Sequence, residues 1–387
     1  MSLRASPSFK CVSSPIKSTS LPSQAYVLSI ASLPSHYAVS ASSPDNAIWL
    51  FDKSRLDIVR MLAGHDSSIT GLRSASTFAG SSSPVLLSCG KDGSVKVWDA
   101  RSPETVTALT AGSAPALLSC DISTDGRIIA AGTELKGDDA LVLYWDPRSP
   151  AAPLRTHSST HSDDITAVHF SHSSSGSRVL LSASSDGLLC TSNAEEEDED
   201  EACLHVGNWG CSIAQAGWVY GRSGSPGIWA SSDMETFSVW SGELDRVQDV
   251  DMRQPSVHRQ DFTWVTDYLI GCHNIAFIPM GMDNNLGVFV GSNEGDIAII
   301  SRPTYLDLES PWIMSNLWTN GHAGVVRSVL WDEQNNILLT GGEDSKLNAW
   351  TGPVLPAAPT SISTKRHRED AMDVDGDSVQ NRKRRHS

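Results

Sequence analysis

The sequence predicts an all-β fold, in which seven copies of a four-stranded unit close into a propeller. Three observations predict it. A pattern seen whole in residues 64–101 returns six more times along the chain. Residues 26–352, shared among seven copies, give about 47 residues per unit, close to the ~40–45 of propeller blades. Apolar positions alternate over short runs bounded by turn residues, which is the period of half-buried strands, and no stretch carries a useful helical period.

The complete unit opens with Gly64-His65 and passes through an apolar strand at Leu86-Leu87 to a turn at Lys91-Asp92-Gly93. It closes with Val95-Lys96-Val97-Trp98-Asp99-Ala100-Arg101, the Trp-Asp ending of a WD repeat. Repeat one covers Tyr26 to Asp52, with Phe51 where Trp is usual. Repeat three covers Leu117 to Arg148 and has a long turn at Glu134 to Asp139. Repeat four covers His161 to Asn193, has Ser192-Asn193 in place of Trp-Asp, and runs into seven consecutive acids, Glu195 to Glu201. Repeats five (Cys211 to Trp240) and six (Tyr268 to Ile300) are degenerate, and repeat seven (Gly321 to Trp350) is regular again.

Gly352-Pro353 follow Trp350 directly, so repeat seven lacks its outermost strand. Phe9-Lys10-Cys11-Val12 and Ile16 offer a spare one. A strand over about residues 9–16 is expected to pair onto blade seven and close the ring, because closure removes an exposed edge. Residues 1–352 are then one propeller domain. Residues 353–387 carry three prolines, alternating charge blocks and almost no aliphatic side chains, and are expected to be a disordered tail.

Composition limits function. The longest apolar runs fall far short of the ~20 residues a membrane helix needs, and residues 1–20 have no apolar core of a secretory signal. A net charge of −16 disfavours a grip on nucleic acid phosphates and suits basic protein partners. The seven cysteines form no CxxC pair and read as reduced thiols. No phosphate loop, dinucleotide fingerprint or EF-hand is present, so no cofactor is expected. His157, His161, His169 and His172 crowd one stretch, but no cysteine or acid stands at metal-ligand spacing, so no metal is expected either.

His65, Ser88, Asp92 and Trp98 recur in repeat seven as His322, Thr340, Asp344 and Trp350, with the same spacing from hydroxyl to Asp to Trp. Serine, histidine and aspartate invite a hydrolase reading. Two copies in two repeats argue instead for structural staples, in which Asp and the hydroxyl satisfy buried His and Trp N–H groups. The chain is therefore not expected to be an enzyme, and a propeller hydrolase is the remote alternative.

Three features point to interactions. Lys365, Arg366 and Arg368, then Arg382, Lys383, Arg384 and Arg385, have the form of a bipartite nuclear localisation signal read by an import carrier. The acidic run after blade four is either a solvated insert or a contact for a basic partner. Arg101 and Arg148 each stand two residues after a Trp-Asp pair, and this is similar to the WDxR box of receptors that dock on the adaptor of cullin-4 ubiquitin ligases. The acidic loop should emerge on the same propeller face and is expected to screen these arginines.

The repeats in their order resemble the WD repeat-containing protein 89 family. The stretches that carry the resemblance are DGSVKVWDAR (92–101), AAGTELKGDDALVLYWDPR (130–148), THSDDITAVHF (160–170), SSDGLLCTSNAEEEDEDEA (184–202), DYLIG (267–271) and the GHAGVVRSVLW and LLTGGEDSKLNAW runs of 321–350. The resemblance implies one propeller acting as a scaffold without catalysis. The expectation is a non-catalytic interaction scaffold in a nuclear multiprotein complex, a monomer within that assembly, in the nucleus and also the cytoplasm. The alternative is a substrate receptor of a cullin-4 type ligase.

Overall fold

The structure, a computed structural model, describes residues 2–354 other than 103, 113–114, 173–177, 222–225, 260–261, 277, 280 and 308. Seven sheets of strands in sequential order surround one axis. Their first strands are Val27–Ser32, Ile69–Ala75, Leu117–Ile122, Ala167–Phe170, Ile213–Val219, Tyr268–Asn274 and Val326–Asp332. The first strands of blades seven and one pack together like other neighbours, so the ring is closed.

Period-two alternation builds the core between blades. In blade two, Leu86 and Trp98 face blade one, where they pack on Ala31, Ile48 and Leu50. The next residues along, Leu87 and Val97, point the other way and pack on Ile129, Leu143 and Trp145 of blade three. Second strands such as Val85–Gly90 are buried throughout and read as continuous apolar runs, whereas the outer strand Thr105–Thr110 is mostly wet and polar.

Closure corrects one expectation. The N-terminus does complete blade seven, but with Lys17–Ser20, which pairs antiparallel with Lys346–Ala349; of the expected residues 9–16 only Ile16 joins it, donating its N–H to the Ala349 carbonyl at 2.8 Å. Residues Leu3–Val12 instead add a fifth, parallel strand to the outside of blade six, with Leu3 opposite Trp312 and Val12 opposite Trp318. Pro15, which lacks an N–H, separates the two segments. Apolar content decides which goes where. Phe9 stacks on Phe262 at 4.8 Å, and Val12 packs beside the Trp318 and Trp350 core. The closing strand needs no apolar residues, because it is exposed or half-exposed along its length.

A side-chain latch crosses the same seam. Asp332 of blade seven accepts hydrogen bonds from Tyr37 Oη (3.0 Å) and Lys53 Nζ (2.8 Å) of blade one. Sequence patterns also miss a hairpin, Ser256–His258 with Thr263–Val265, between blades five and six.

Candidate functional site

The triad-like sets are internal bolts. In blade two, Trp98 Nε1 donates to Ser88 Oγ (2.8 Å), Ser88 Oγ lies 2.7 Å from His65 Nε2, and His65 Nδ1 is 2.9 Å from Asp92. Burial holds His65 below its ordinary pKa, so the ring is neutral. Neutral His65 then accepts from Ser88 through Nε2 and donates to Asp92 through Nδ1. Burial raises the Asp92 carboxyl, but hydrogen bonds from Ser94 and His65 outweigh it and leave its pKa at about 2. Blade seven repeats the set, with Trp350 to Thr340 at 2.9 Å, Thr340 to His322 at 2.8 Å and His322 to Asp344 at 3.0 Å. The hydroxyls of Ser88 and Thr340 sit in fully buried residues, out of reach of a substrate.

A third set in blade four was not singled out in the sequence. His161 lies 2.8 Å from Ser182 but 3.3 Å from Asp186, and Ser192 replaces Trp. The difference has a steric cause. Blades two and seven have Gly90 and Gly342 beside the ring, where an added Cβ would meet the His nitrogen at 2.9 and 2.7 Å. Blade four has Ser184 in that place.

Loops after third strands share one face, since successive strands of a blade run in opposite directions. Arg101 and Arg148 lie there on neighbouring blades and are built alike. Each sends Nε to Oδ1 (2.9 Å) and Nη2 to Oδ2 (2.6 Å) of the Asp two residues before it, Asp99 or Asp146. Both are exposed, at 84% and 60% of the side chain.

The acidic run lies on this face too, but its partners differ from those expected. Glu199 accepts from the backbone N–H groups of Ser158 and Ser159 (both 2.9 Å) and from Thr160 Oγ1 (2.6 Å). Arg178 pairs with Glu195 and with Asp125, and Arg155 donates to the carbonyls of Ala194 and Glu195. Asp198 caps the one-turn helix Glu199–Ala202 by accepting from the N–H groups of Asp200 and Glu201. Among the described residues, the run is anchored to blade three and Arg178 and does not pair with Arg101 or Arg148. The basic cluster from Lys365 to Arg385 lies outside the described residues.

The four crowded histidines separate. His157 is buried against Tyr144 at 5.0 Å, and His161 belongs to its bolt. His169 and His172 line the central channel, a space of about 980 Å³. Among the described residues, no three His, Cys, Asp or Glu side chains are placed to hold a metal.

Register defines a layer in this channel with one residue from each blade. Arg73 pairs across to Leu87 and Val97, Asp121 to Ala130 and Tyr144, and His169 to Leu181 and Thr191. The same ladder position is Gly217 in blade five, Gly271 in six, Leu330 in seven and Ala31 in one. Blades two to four thus supply all the polar reach. Arg73 Nη2 lies 3.0 Å from His169 Nε2. Burial, then the Arg73 charge, holds His169 well below its usual pKa and therefore neutral. Asp121 Oδ2 accepts from the Phe170 N–H at 2.8 Å, and burial pushes this carboxyl up despite Arg73. Tyr220 Oη, at the nearby mouth, accepts from the His172 N–H at 2.9 Å.

Comparison with known proteins agrees with this architecture. The WD domain, G-beta repeat signature matches residues 56–99 and 314–351. The WD repeat-containing protein 89 homolog of Dictyostelium discoideum is 29% identical, over 84% of this chain and 82% of that protein. WD repeat-containing protein GTS1 of Arabidopsis thaliana is 30% identical, over 84% and 81%. The crystal structure of the computationally designed Ika8 protein matches 86% of this chain and 98% of its own, with a TM-score of 0.59 and 18% identity, a likeness of fold alone. The repeats, their bolts and these relatives, matched over four-fifths of their length, together show that the chain belongs to the WD-repeat family of WD repeat-containing protein 89 homolog and GTS1.

Proposed function

We propose that this propeller is a non-catalytic scaffold in a nuclear protein complex and that it presents the blade-four acidic turn to a basic partner. The anchoring of that turn carries the reading. A solvated insert has no need of three hydrogen bonds on Glu199, an N-cap and two arginine anchors. Here the anchors hold the backbone while Glu197, Asp200 and Glu201 face solvent. Fixed charges of one sign speed and orient the encounter with an oppositely charged surface. The test is affinity purification of the chain with Glu197→Gln, Asp200→Asn and Glu201→Gln. Loss of basic partners with an unchanged melting temperature supports the reading, and an unchanged set of partners overturns it. The nuclear setting rests on the two basic clusters of the tail. A chain ending before residue 365 should lose nuclear accumulation, and retained accumulation refutes the signal.

A cullin-4 type ligase receptor is the second reading, favoured by the twin geometry of Arg101 and Arg148. Two exposed guanidiniums, each braced on its own carboxylate, form a repeated feature that one partner can engage across neighbouring blades. Arg101→Ala with Arg148→Ala should remove the ligase adaptor from pulldowns and leave other partners in place. An unmutated chain that brings down no adaptor ends this reading.

A further inference from the structure

The channel layer is lopsided, and at Gly271 packing does not require it. Ala31, Gly217, Gly271 and Leu330 on one side present no charge; Gly217 makes room for the Trp229 ring, which a Cβ there would meet at 2.8 Å, but a side chain at Gly271 would meet only Gln215 and Val329, at ordinary contact distance. Opposite them, Arg73 is exposed to the channel in a protein of net charge −16. Among the described residues, Arg73 makes no ion pair. Its described polar partner is the neutral ring of His169. Asp121, the acid of this layer, spends Oδ2 on the Phe170 N–H. An accessible guanidinium beside unfilled space is a receptor for an anion, and its planar fork matches two oxygens.

We propose that this layer binds one carboxylate, the Glu or Asp side chain of a partner protein, inserted beside Arg73 from the face that bears Arg101 and Arg148. Arg73, Asp121 and His169 lie toward the ends of their first strands, which open on that face, and His172 and Tyr220 stand at the mouth. Charge balance selects a carboxylate over a phosphate. One arginine neutralises one negative charge, while a dianion would leave a surplus facing Asp121. A carboxylate can also share a proton with the Asp121 carboxyl, as two acids at close range do. A cationic guest would meet Arg73 first. The inference uses none of the residues of the acidic turn and stands if that reading fails.

The groups facing Asp121 are Arg73 from blade two, His169 and His172 from blade four and Tyr220 from blade five. As pH falls below neutrality, Asp121 takes up a proton earlier than an ordinary aspartate. Repulsion then drops and binding tightens, until the guest's own carboxyl is protonated.

The experiment titrates the full chain by NMR with acetyl-Ala-Glu-Ala-amide and with its Gln counterpart. The Glu peptide is expected to bind and the Gln peptide not. Arg73→Gln should weaken binding about tenfold or more, the loss of a charge-assisted pair. Its melting temperature should not change, because Arg73 holds no ion pair. Asp121→Asn should tighten binding near neutral pH and flatten the pH dependence, and it carries the test if the Arg73 variant fails to fold. Equal binding of both peptides, binding of neither, or undiminished binding by Arg73→Gln overturns the proposal. Tighter binding of inorganic phosphate than of the Glu peptide overturns the assignment to carboxylate.

Discussion

Asp92, Asp186 and Asp344 occupy one position in three blades, but they are not equally held. Asp92 and Asp344 lie 2.9 and 3.0 Å from their histidines, while Asp186 stands off at 3.3 Å beside Ser184. Asp92→Ala and Asp344→Ala should each cost about 1–3 kcal/mol, because each orphans a buried imidazole N–H. Asp186→Ala should cost less, and urea midpoints of the three variants rank them. A cost for Asp186→Ala equal to the others would break the link between distance and strength. The same groups set an acid limit. Asp92 and Asp344 titrate at about 2 against an ordinary 3.8, so their folded pKa values are depressed. The stability they contribute is complete above the ordinary value and is lost as pH falls through about 2, with about 2 kcal/mol at stake at each site. His65 acts in the same direction from a higher pH. Its folded pKa is lowered, so the unfolded chain binds the proton first once pH drops below 6.5. Stability measured from pH 7 to pH 2 should therefore fall in two stages, and Asp92→Asn should shrink the lower one.

At the scale of elements, the N-terminus does two jobs with two segments, and they separate experimentally. A chain beginning at Ile16 keeps the closing strand but uncovers the edge of Trp312–Trp318 on blade six. A chain beginning at Pro22 loses both. The second should melt well below the first, and equal melting temperatures would show that Lys17–Ser20 does not carry closure. Asp332→Ala should cost about 1–3 kcal/mol, because it orphans the buried hydroxyl of Tyr37 and frees the half-buried Lys53 across the seam. The closing strand was hard to read for a physical reason. Lys17-Ser18-Thr19-Ser20 has no apolar member, and an edge strand that packs little needs none. Phe9 and Val12 were legible as strand, but their apolar character belongs to blade six, whose Phe262 and Trp318 call for cover.

For the whole molecule, the repeat period conveys the architecture because every blade reuses one ladder, and Trp98, Asp92 and His65 mark its register. The channel layer is present in the same sequence but hidden. Arg73, Asp121 and His169 are unremarkable one at a time, in strands that read Leu72-Arg73-Ser74, Cys120-Asp121-Ile122 and Val168-His169-Phe170. They become a set only when each is counted across its ladder to the residue before Trp98, Trp145 or Ser192. The rim is intermediate. Its acids and arginines are plain in the sequence, but Arg178 and Arg155 as the anchors of the acidic turn depend on folding across two blades.

The pairing of Lys17 with Ala349 also fixes an order of events during synthesis. Lys17–Ser20 must wait for Lys346–Ala349 before either strand has a partner. Contacts so distant in sequence are slow to form, since the loop entropy is spent before the contact rewards it. Until then, blades six and seven both present open strand edges to other nascent chains, and chaperone demand should peak in that interval.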